Sequence, residues 1–303
     1  MSEPRAQDWP ARPIRLIVSF PGGSSDVLGR AFAQYATLGQ PVVVENVTGA
    51  NGAIGMGRLA KSAPDGYTLA LGATTNLAIG PHLNTKLPYD PLTDFAPIAL
   101  LARVPIVLVV NAKVPAKSVD ELVALARAHP GKLNYGSIGT GSTTHLLGEM
   151  LRRSAGIDVV HVPYKGIQQG VTALLTGDVQ FIFFPVFVDA RAQVRSGALR
   201  PLAVVDSRRS PVAPDLPTLP ELGYPLEAAA WFAFIAPAGT PEAIVQRLAR
   251  EVRRVLALEP MKRFLDGHGM EAGDLGPEAV KAYIVSEYAR YGRMVRETGV
   301  QVE

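Results

Sequence analysis

Residues 14–29 read Ile14-Arg15-Leu16-Ile17-Val18-Ser19-Phe20-Pro21-Gly22-Gly23-Ser24-Ser25-Asp26-Val27-Leu28-Gly29. Ile14 to Val18 is a β-branched run of strand length. From Asp26 to Leu38 the apolar residues Val27, Leu28, Ala31, Phe32 and Tyr35 recur at helical spacing. Between the two runs lies a turn of proline, glycine and serine. Strand, small-residue turn and helix in succession form the building unit of an α/β sheet. Working outward, Pro41 to Glu45 predicts a second strand, Ile54 to Lys61 a short helix and Tyr67 to Leu71 a third strand. That order implies a parallel sheet with helices on both faces.

The alternation restarts after Pro105. Strands are expected at Ile106–Val110, Leu133–Tyr135, Val159–Val162, Val179–Phe184 and Leu202–Val205. Helices are expected at Val119–Ala128, Thr143–Ser154 and Ile167–Leu175. Ser118 is the expected N-cap of the first helix, with Glu121 at capping-box spacing, and His129-Pro130-Gly131 stops it. From Ser210 to Pro225, Pro211, Pro214, Pro217, Pro220 and Pro225 rule out a helix and predict a surface-hugging connector. Trp231–Ile235 returns as a strand, and amphipathic helices follow at Pro241–Leu258 and Pro277–Val295. In the first of these, Ile244, Val245, Leu248, Val252 and Leu256 form the core face, with Arg247, Arg250, Arg253 and Arg254 expected in solvent. The organisation read from this is two-lobed. Residues 1–103 begin the first lobe, 104–227 form the second, and 228–303 complete the first. The chain crosses near Leu101–Pro105 and near Leu226–Trp231, and the cleft between two such lobes is the expected ligand site.

Composition narrows the function. The chain has 303 residues, 48% hydrophobic and 19% charged, the balance of an ordinary globular protein. Its net charge of +3 is carried by scattered Lys and Arg, with no basic run to track a nucleic acid backbone. Without cysteine it has no disulfide, thiolate metal site or cysteine nucleophile. Met1 to Arg12 is polar and Pro-rich, with no apolar core of a signal peptide. Either the protein is cytosolic, or the sequence begins at a mature end behind an added Met. The longest apolar stretch, Phe95 to Ala112, is broken by Pro97, Arg103 and Pro105 and reads as strand, not membrane span.

Four loops carry candidate chemistry. In Phe20–Asp26, Gly22 and Gly23 permit close backbone approach. The helix after Ser24, Ser25 and Asp26 presents unpaired N–H groups and a positive dipole end. This is an anion cradle without a charged side chain. It lacks the Gly-Lys-Ser/Thr ending of a phosphate loop. The same residues also suit a plain turn with Ser24 or Ser25 as N-cap. Tyr135-Gly136-Ser137-Ile138-Gly139-Thr140-Gly141-Ser142-Thr143-Thr144-His145 has the same context. Ser24-Ser25-Asp26-Val27-Leu28-Gly29 parallels Thr143-Thr144-His145-Leu146-Leu147-Gly148, so each lobe offers one anion-friendly helix start. In the third loop, Tyr164, Lys165 and Gly166 precede a helix. Lys165 there is either a cleft charge or a solvated lysine. In the fourth, Thr74, Thr75 and Asn76 can bond a ligand or cap the chain from Leu77 onward.

Enzyme signals are weak by comparison. Gly136-Ser137-Ile138-Gly139 nearly matches a nucleophile elbow, but Tyr135 occupies the first glycine position and no partner histidine is nominated. Gly55-Met56-Gly57-Arg58-Leu59-Ala60 starts ten residues after the strand ending at Glu45, too far for a dinucleotide turn. His82, His129, His145, His161 and His268 lack metal-ligand spacing. His129 reads as a helix cap and His161 as a strand end, and only His145 is placed to face a ligand. No metal and no cofactor are expected.

Several motifs together resemble the Bug family, the extracytoplasmic receptors of tripartite tricarboxylate transporters. They are Pro13–Val18, Pro21–Asp26, Val43–Asn46, Pro64–Leu69, Tyr89-Asp90-Pro91 with Asp94-Phe95, Val162–Gly166, Gly239-Thr240-Pro241 and the hydroxyl-rich loop Ser137–His145. The resemblance runs in order over nearly the whole chain. It implies a two-lobed type II periplasmic-binding-protein fold, each lobe a mainly parallel sheet flanked by helices. It also implies export to the periplasm, no catalysis, and delivery of a small organic carboxylate to membrane transporter subunits; a monomer is expected. A ligand sensor for a signalling partner needs the same fold and ligand. The site residues it implies are Gly22–Asp26 and Thr74–Asn76 in the first lobe. In the second they are Ser137, Gly139, Thr140, Gly141, Ser142, His145 and Tyr164–Gly166. One departure is Phe184, where family members often carry an Asp that can meet a ligand amino group. Its loss points to a non-amino mono- or dicarboxylate whose aromatic or aliphatic body rests on Phe184.

Overall fold

The computed structural model describes residues 9–84, 86–184, 187–211 and 213–301. The expectation for the chain start therefore lies partly outside the described residues, as does Pro185. In chain order the elements are β1 (Ile14–Val18), α1 (Ser24–Tyr35), β2 (Val42–Asn46), α2 (Ala53–Ala60), β3 (Thr68–Ala73) and α3 (Gly80–Leu83). There follow β4 (Phe95–Pro105), β5 (Val107–Asn111), α4 (Val119–Ala128), β6 (Leu133–Ser137), α5 (Thr143–Ser154), β7 (Val159–Pro163) and α6 (Ile167–Thr176). The chain continues with β8 (Phe181–Phe184), α7 (Phe187–Arg195), β9 (Leu199–Val204) and β10 (Ala229–Pro237). It ends with α8 (Glu242–Ala257), α9 (Glu259–Gly267), β11 (Glu271–Ala272) and α10 (Pro277–Thr298).

The chain divides into two compact units. One comprises Met1–Arg103, Trp231–Leu265 and Ala272–Gly292; the other comprises Val104–Ala230, Asp266–Glu271 and Arg293–Glu303. A six-stranded sheet runs in the order β11-β4-β10-β3-β1-β2, and a five-stranded sheet in the order β7-β6-β8-β5-β9. The α/β class is as expected. Both sheets are mixed rather than mainly parallel. β1 pairs parallel with β2 and β3, and β6 parallel with β7 and β8. By contrast β10 runs antiparallel to β3, and β5 antiparallel to β8 and β9. The parallel pairs are those linked through crossover helices, which return the chain to the same end. β5 follows β4 with no crossover helix between them, so nothing constrains it to that direction.

Burial follows the sequence pattern. In β1 only Arg15 is exposed, and every residue of β5 is buried. The apolar stripe of α8 is buried as expected. Two of its arginines are not simply solvated. Arg247 lies over the Trp9 ring and donates to Leu38 O at 3.2 Å, and Arg254 donates to Tyr35 O at 2.6 Å. Among its described residues the proline-rich connector holds a short 3-10 turn, Pro220–Leu222, and an isolated bridge from Thr218 to Val204. It is tied to β9 by Val204 N–H to Pro217 O and Leu219 N–H to Val204 O, both 2.9 Å. Three helices were not foreseen: the short α3, α7 and α9.

Candidate functional site

Both cradle loops leave the C-terminal end of a strand and enter a helix, and each closes by the same device. Gly22 has φ of 69° and Gly141 φ of 76°, the left-handed region that glycine enters without cost from a Cβ. Gly22 N–H donates to Asp26 Oδ2 at 3.0 Å, and Gly141 N–H donates to His145 Nδ1 at 3.1 Å. In both, the side chain three residues into the helix reaches back to the N–H just ahead of the N-cap, Gly23 in α1 and Ser142 in α5. The parallel read from sequence is thus a parallel of geometry. The helix-internal glycines match as well. A Cβ on Gly29 would meet Val18 Cγ2 at 3.2 Å, and one on Gly148 would meet the Tyr135 ring at 2.0 Å.

Side-chain bonds close both loops and leave backbone N–H groups open. In the first loop Ser25 Oγ donates to Phe20 O at 3.3 Å, so neither serine acts as the N-cap. Among the described residues no acceptor meets the N–H groups of Gly23, Ser24 and Ser25. Asp26 is a turn lock. Its other oxygen accepts from Arg30 Nε and Asn46 Nδ2, each at 3.0 Å. Burial alone raises its pKa, but Gly22 N–H, the Asn46 amide and Arg30 outweigh this and hold the carboxyl below its ordinary value. In the second loop Ile138 N–H donates to Thr144 Oγ1 at 3.0 Å, Gly139 N–H to Ser137 Oγ at 3.2 Å, and His145 N–H to Ser142 Oγ at 3.3 Å. No acceptor among the described residues meets the N–H groups of Thr140, Thr143 and Thr144.

The other expected site residues divide. Lys165 is exposed, and its N–H donates to Gln169 Oε1 at 3.1 Å; Tyr164 N–H donates to Ser137 O at 2.9 Å. Gly166 is the N-cap of α6. Thr74 is buried and its Oγ1 accepts Trp231 N–H at 2.8 Å, while Thr75 is half-buried. Asn76 Oδ1 accepts Ala73 N–H at 2.9 Å, and its Nδ2 is buried with no acceptor among the described residues. Phe184 is wholly buried in a cluster with Val107, Val171, Leu174 and Ile182.

Sequence reasoning missed His161. Its Nε2 lies 2.7 Å from Ser137 Oγ, and its ring stacks on His145 with centroids 3.8 Å apart and planes 8° apart. Burial, then His145, pushes its pKa down to about 4 against the pull of Glu149. Burial likewise lowers His145, again against Glu149. A serine hydroxyl beside an imidazole has the outline of a nucleophile and base, which the sequence alone did not supply. Here Ser137 is wholly buried, and no carboxylate among the described residues bonds His161 Nδ1. The nearby Glu149 accepts from Tyr135 OH at 2.8 Å and Arg152 Nε at 2.9 Å instead. Among the described residues no group of side chains could hold a metal ion, and no helix is long and apolar enough to cross a membrane.

Comparison with known proteins agrees with this frame. The profile of the family described as "Tripartite tricarboxylate transporter family receptor" matches residues 30–300. Protein BugT of Bordetella pertussis is 39% identical over 305 residues, 98% of this chain and 93% of BugT. An R. palustris protein solved with adipate superposes with a TM-score of 0.83 at 34% identity, covering 97% of this chain and 99% of that one. MatC from Rhodopseudomonas palustris, solved with bound malate, does so with a TM-score of 0.79 at 32% identity, covering 95% and 100%. Members of the family are solute-binding receptors of the periplasm, not enzymes. By profile, by identity along nearly its whole length and by fold, this chain belongs to the tripartite tricarboxylate transporter receptor family.

Proposed function

We propose that the chain is a periplasmic receptor that clamps a small organic carboxylate between two hinged lobes and delivers it to the membrane subunits of a tripartite transporter. It works as a monomer, without cofactor. The observation that carries this reading is the matched pair of helix starts. The free N–H groups of Gly23, Ser24 and Ser25 in one unit, and of Thr140, Thr143 and Thr144 in the other, suit an anion at each helix N-terminus. Charge-assisted hydrogen bonds of this type are shorter and about twice as strong as neutral ones. A micromolar complex needs about 8 kcal/mol net, within reach of four to six such bonds after ordering costs.

The ligand class is a non-amino mono- or dicarboxylate. Phe184 provides no carboxylate for a ligand ammonium, and its neighbours Val107, Leu174 and Ile182 are all apolar. The adipate and malate of the similar structures are both non-amino dicarboxylates. A thermal-shift and calorimetry panel of adipate, malate, benzoate, aspartate and glutamate tests the reading. The melting temperature should rise with at least one of the first three, because a ligand bound only by the native state stabilises it. Tight binding of aspartate or glutamate, with no response to the non-amino acids, rules the proposed class out.

A further inference from the structure

The loop of the second cradle is held from behind by two imidazoles. A backbone N–H can only donate, so the contact from Gly141 requires His145 Nδ1 to be bare. His145 is then neutral, with its proton on Nε2. Face-to-face stacking at 3.8 Å suits two neutral rings and opposes two cations. The groups facing the pair are Tyr135, stacked on His161 with centroids 5.0 Å apart, and Glu149, already bonded to Tyr135 and Arg152. Glu149 acts on His161 by its charge without bonding it, and neither group bonds the His161 ring.

Ser137 links His161 to the loop. Its Oγ accepts Gly139 N–H at 3.2 Å. Its single proton has two acceptors in reach, Gly139 O at 3.2 Å and His161 Nε2 at 2.7 Å. The shorter contact to a neutral imidazole draws the hydroxyl toward His161 and leaves the lone pairs for Gly139 N–H. Without His161 the hydroxyl turns to Gly139 O, which already accepts Ser142 N–H at 3.1 Å. The two imidazoles therefore account for both glycine amides of the loop, Gly141 directly and Gly139 through Ser137.

We propose that His161 is a positioning residue for the carboxylate: through Ser137 it fixes which N–H groups of residues 138–144 stay free for the ligand. The inference rests on the carboxylate-receptor reading. His161 touches no ligand itself; it holds the turn in the state that leaves Thr140, Thr143 and Thr144 as donors.

The test is calorimetry with adipate and with malate on the wild type, His161→Leu, His161→Gln, Ser137→Ala and the combined His161→Leu/Ser137→Ala. His161→Leu should weaken binding about tenfold, and His161→Gln, whose amide reaches the place of Nε2, less than about threefold. In the Ser137→Ala background the Leu substitution should cost less than about twofold, because the link it acts through is gone. Equal losses in both backgrounds, or Gln no better than Leu, overturn the proposal. Imidazole nitrogen NMR on the unmutated protein at neutral pH needs neither a variant nor a ligand. It should find His145 bare at Nδ1 and His161 bare at Nε2, and a proton on His161 Nε2 overturns the proposal outright. A wild type that binds neither acid is titrated with benzoate instead, and one that binds none of the three fails before any variant is made; that result sinks the receptor reading and this inference with it.

Discussion

Asp26 illustrates how a residue at a helix start can be taken up by its own turn. One carboxylate oxygen holds Gly22 N–H and the other holds Arg30 and Asn46. Asp26→Ala should cost about 2 kcal/mol at neutral pH, the loss expected for hydrogen bonds to a buried charge. The carboxyl's folded pKa lies below its ordinary value of 3.8. Its contribution is therefore fully present above that value and is lost as pH falls toward the folded pKa. Urea titrations at pH 7 and at pH 3 should show the gap between wild type and Asp26→Ala narrowing at the lower pH. A gap unchanged by pH would mean that the ionised form does not make these bonds. At this scale the sequence was legible only in part. Glycines followed by hydroxyl residues between a strand and a helix mark a tight turn into a helix start, and the parallel between Ser24–Gly29 and Thr143–Gly148 marked one such start in each half of the chain. Which way each side chain turns was not legible, because Asp26 and His145 suit a ligand and a turn equally well. Asn46, which meets Asp26, and His161, which meets Ser137 behind the His145 loop, stand 20 residues and 24 residues from those groups. A histidine in the middle of a strand carries no local mark of the neighbour it will face.

Helices and strands were easier to read than contacts, for a physical reason. Period, caps and breakers are local, so β1, α4 and α5 emerge from their own residues. Ser118 Oγ accepts Glu121 N–H at 3.1 Å as the capping spacing requires, and α4 ends at His129 before Pro130. The returning Glu121 carboxylate takes Lys117 N–H at 2.7 Å, one residue earlier than a capping box predicts. α9 escaped because Glu259-Pro260 reads as the end of α8, whereas proline is tolerated in a helix's first turn and here begins the next one. The direction of β5 and β10 escaped because strand polarity depends on the connections and not on the strand's own residues. The matched glycines Gly29 and Gly148 give a prediction at this scale. Alanine is the better helix former by about 1 kcal/mol. At Gly29 the new methyl asks Val18 to give by a few tenths of an ångström, so Gly29→Ala should stay within about 1 kcal/mol of wild type. At Gly148 it would land inside the Tyr135 ring, whose hydroxyl is tied to Glu149 and whose face stacks on His161. Gly148→Ala should cost on the order of 3 kcal/mol in urea denaturation. Equal stabilities for the two variants would mean that the strand-to-helix spacing is looser in α5 than these distances indicate.

At the scale of the molecule, the proposed clamp differs from a pocket confined to one unit in which changes it feels. A substitution can delete one open N–H from each helix start while sparing the helix. Ser24 and Thr143 are the first residues of α1 and α5, where proline is tolerated because the lost N–H had no helical partner. The preceding residues already have the extended backbone that proline demands, with Gly23 at ψ of −176° and Ser142 at ψ of 161°. Ser24→Pro and Thr143→Pro should thus each leave the ligand-free stability within about 1 kcal/mol of wild type. A native-state ligand at a hundred times its Kd stabilises by about 2.7 kcal/mol, and a tenfold weaker Kd at that concentration leaves about 1.4. A carboxylate held by both cradles predicts this halving of the ligand-induced stabilisation in both variants. A carboxylate held by one unit predicts it in one variant and a wild-type response in the other. Thermal denaturation of the two variants, with and without the acid that the wild type binds best, therefore decides between a clamp and a one-sided pocket without a liganded structure.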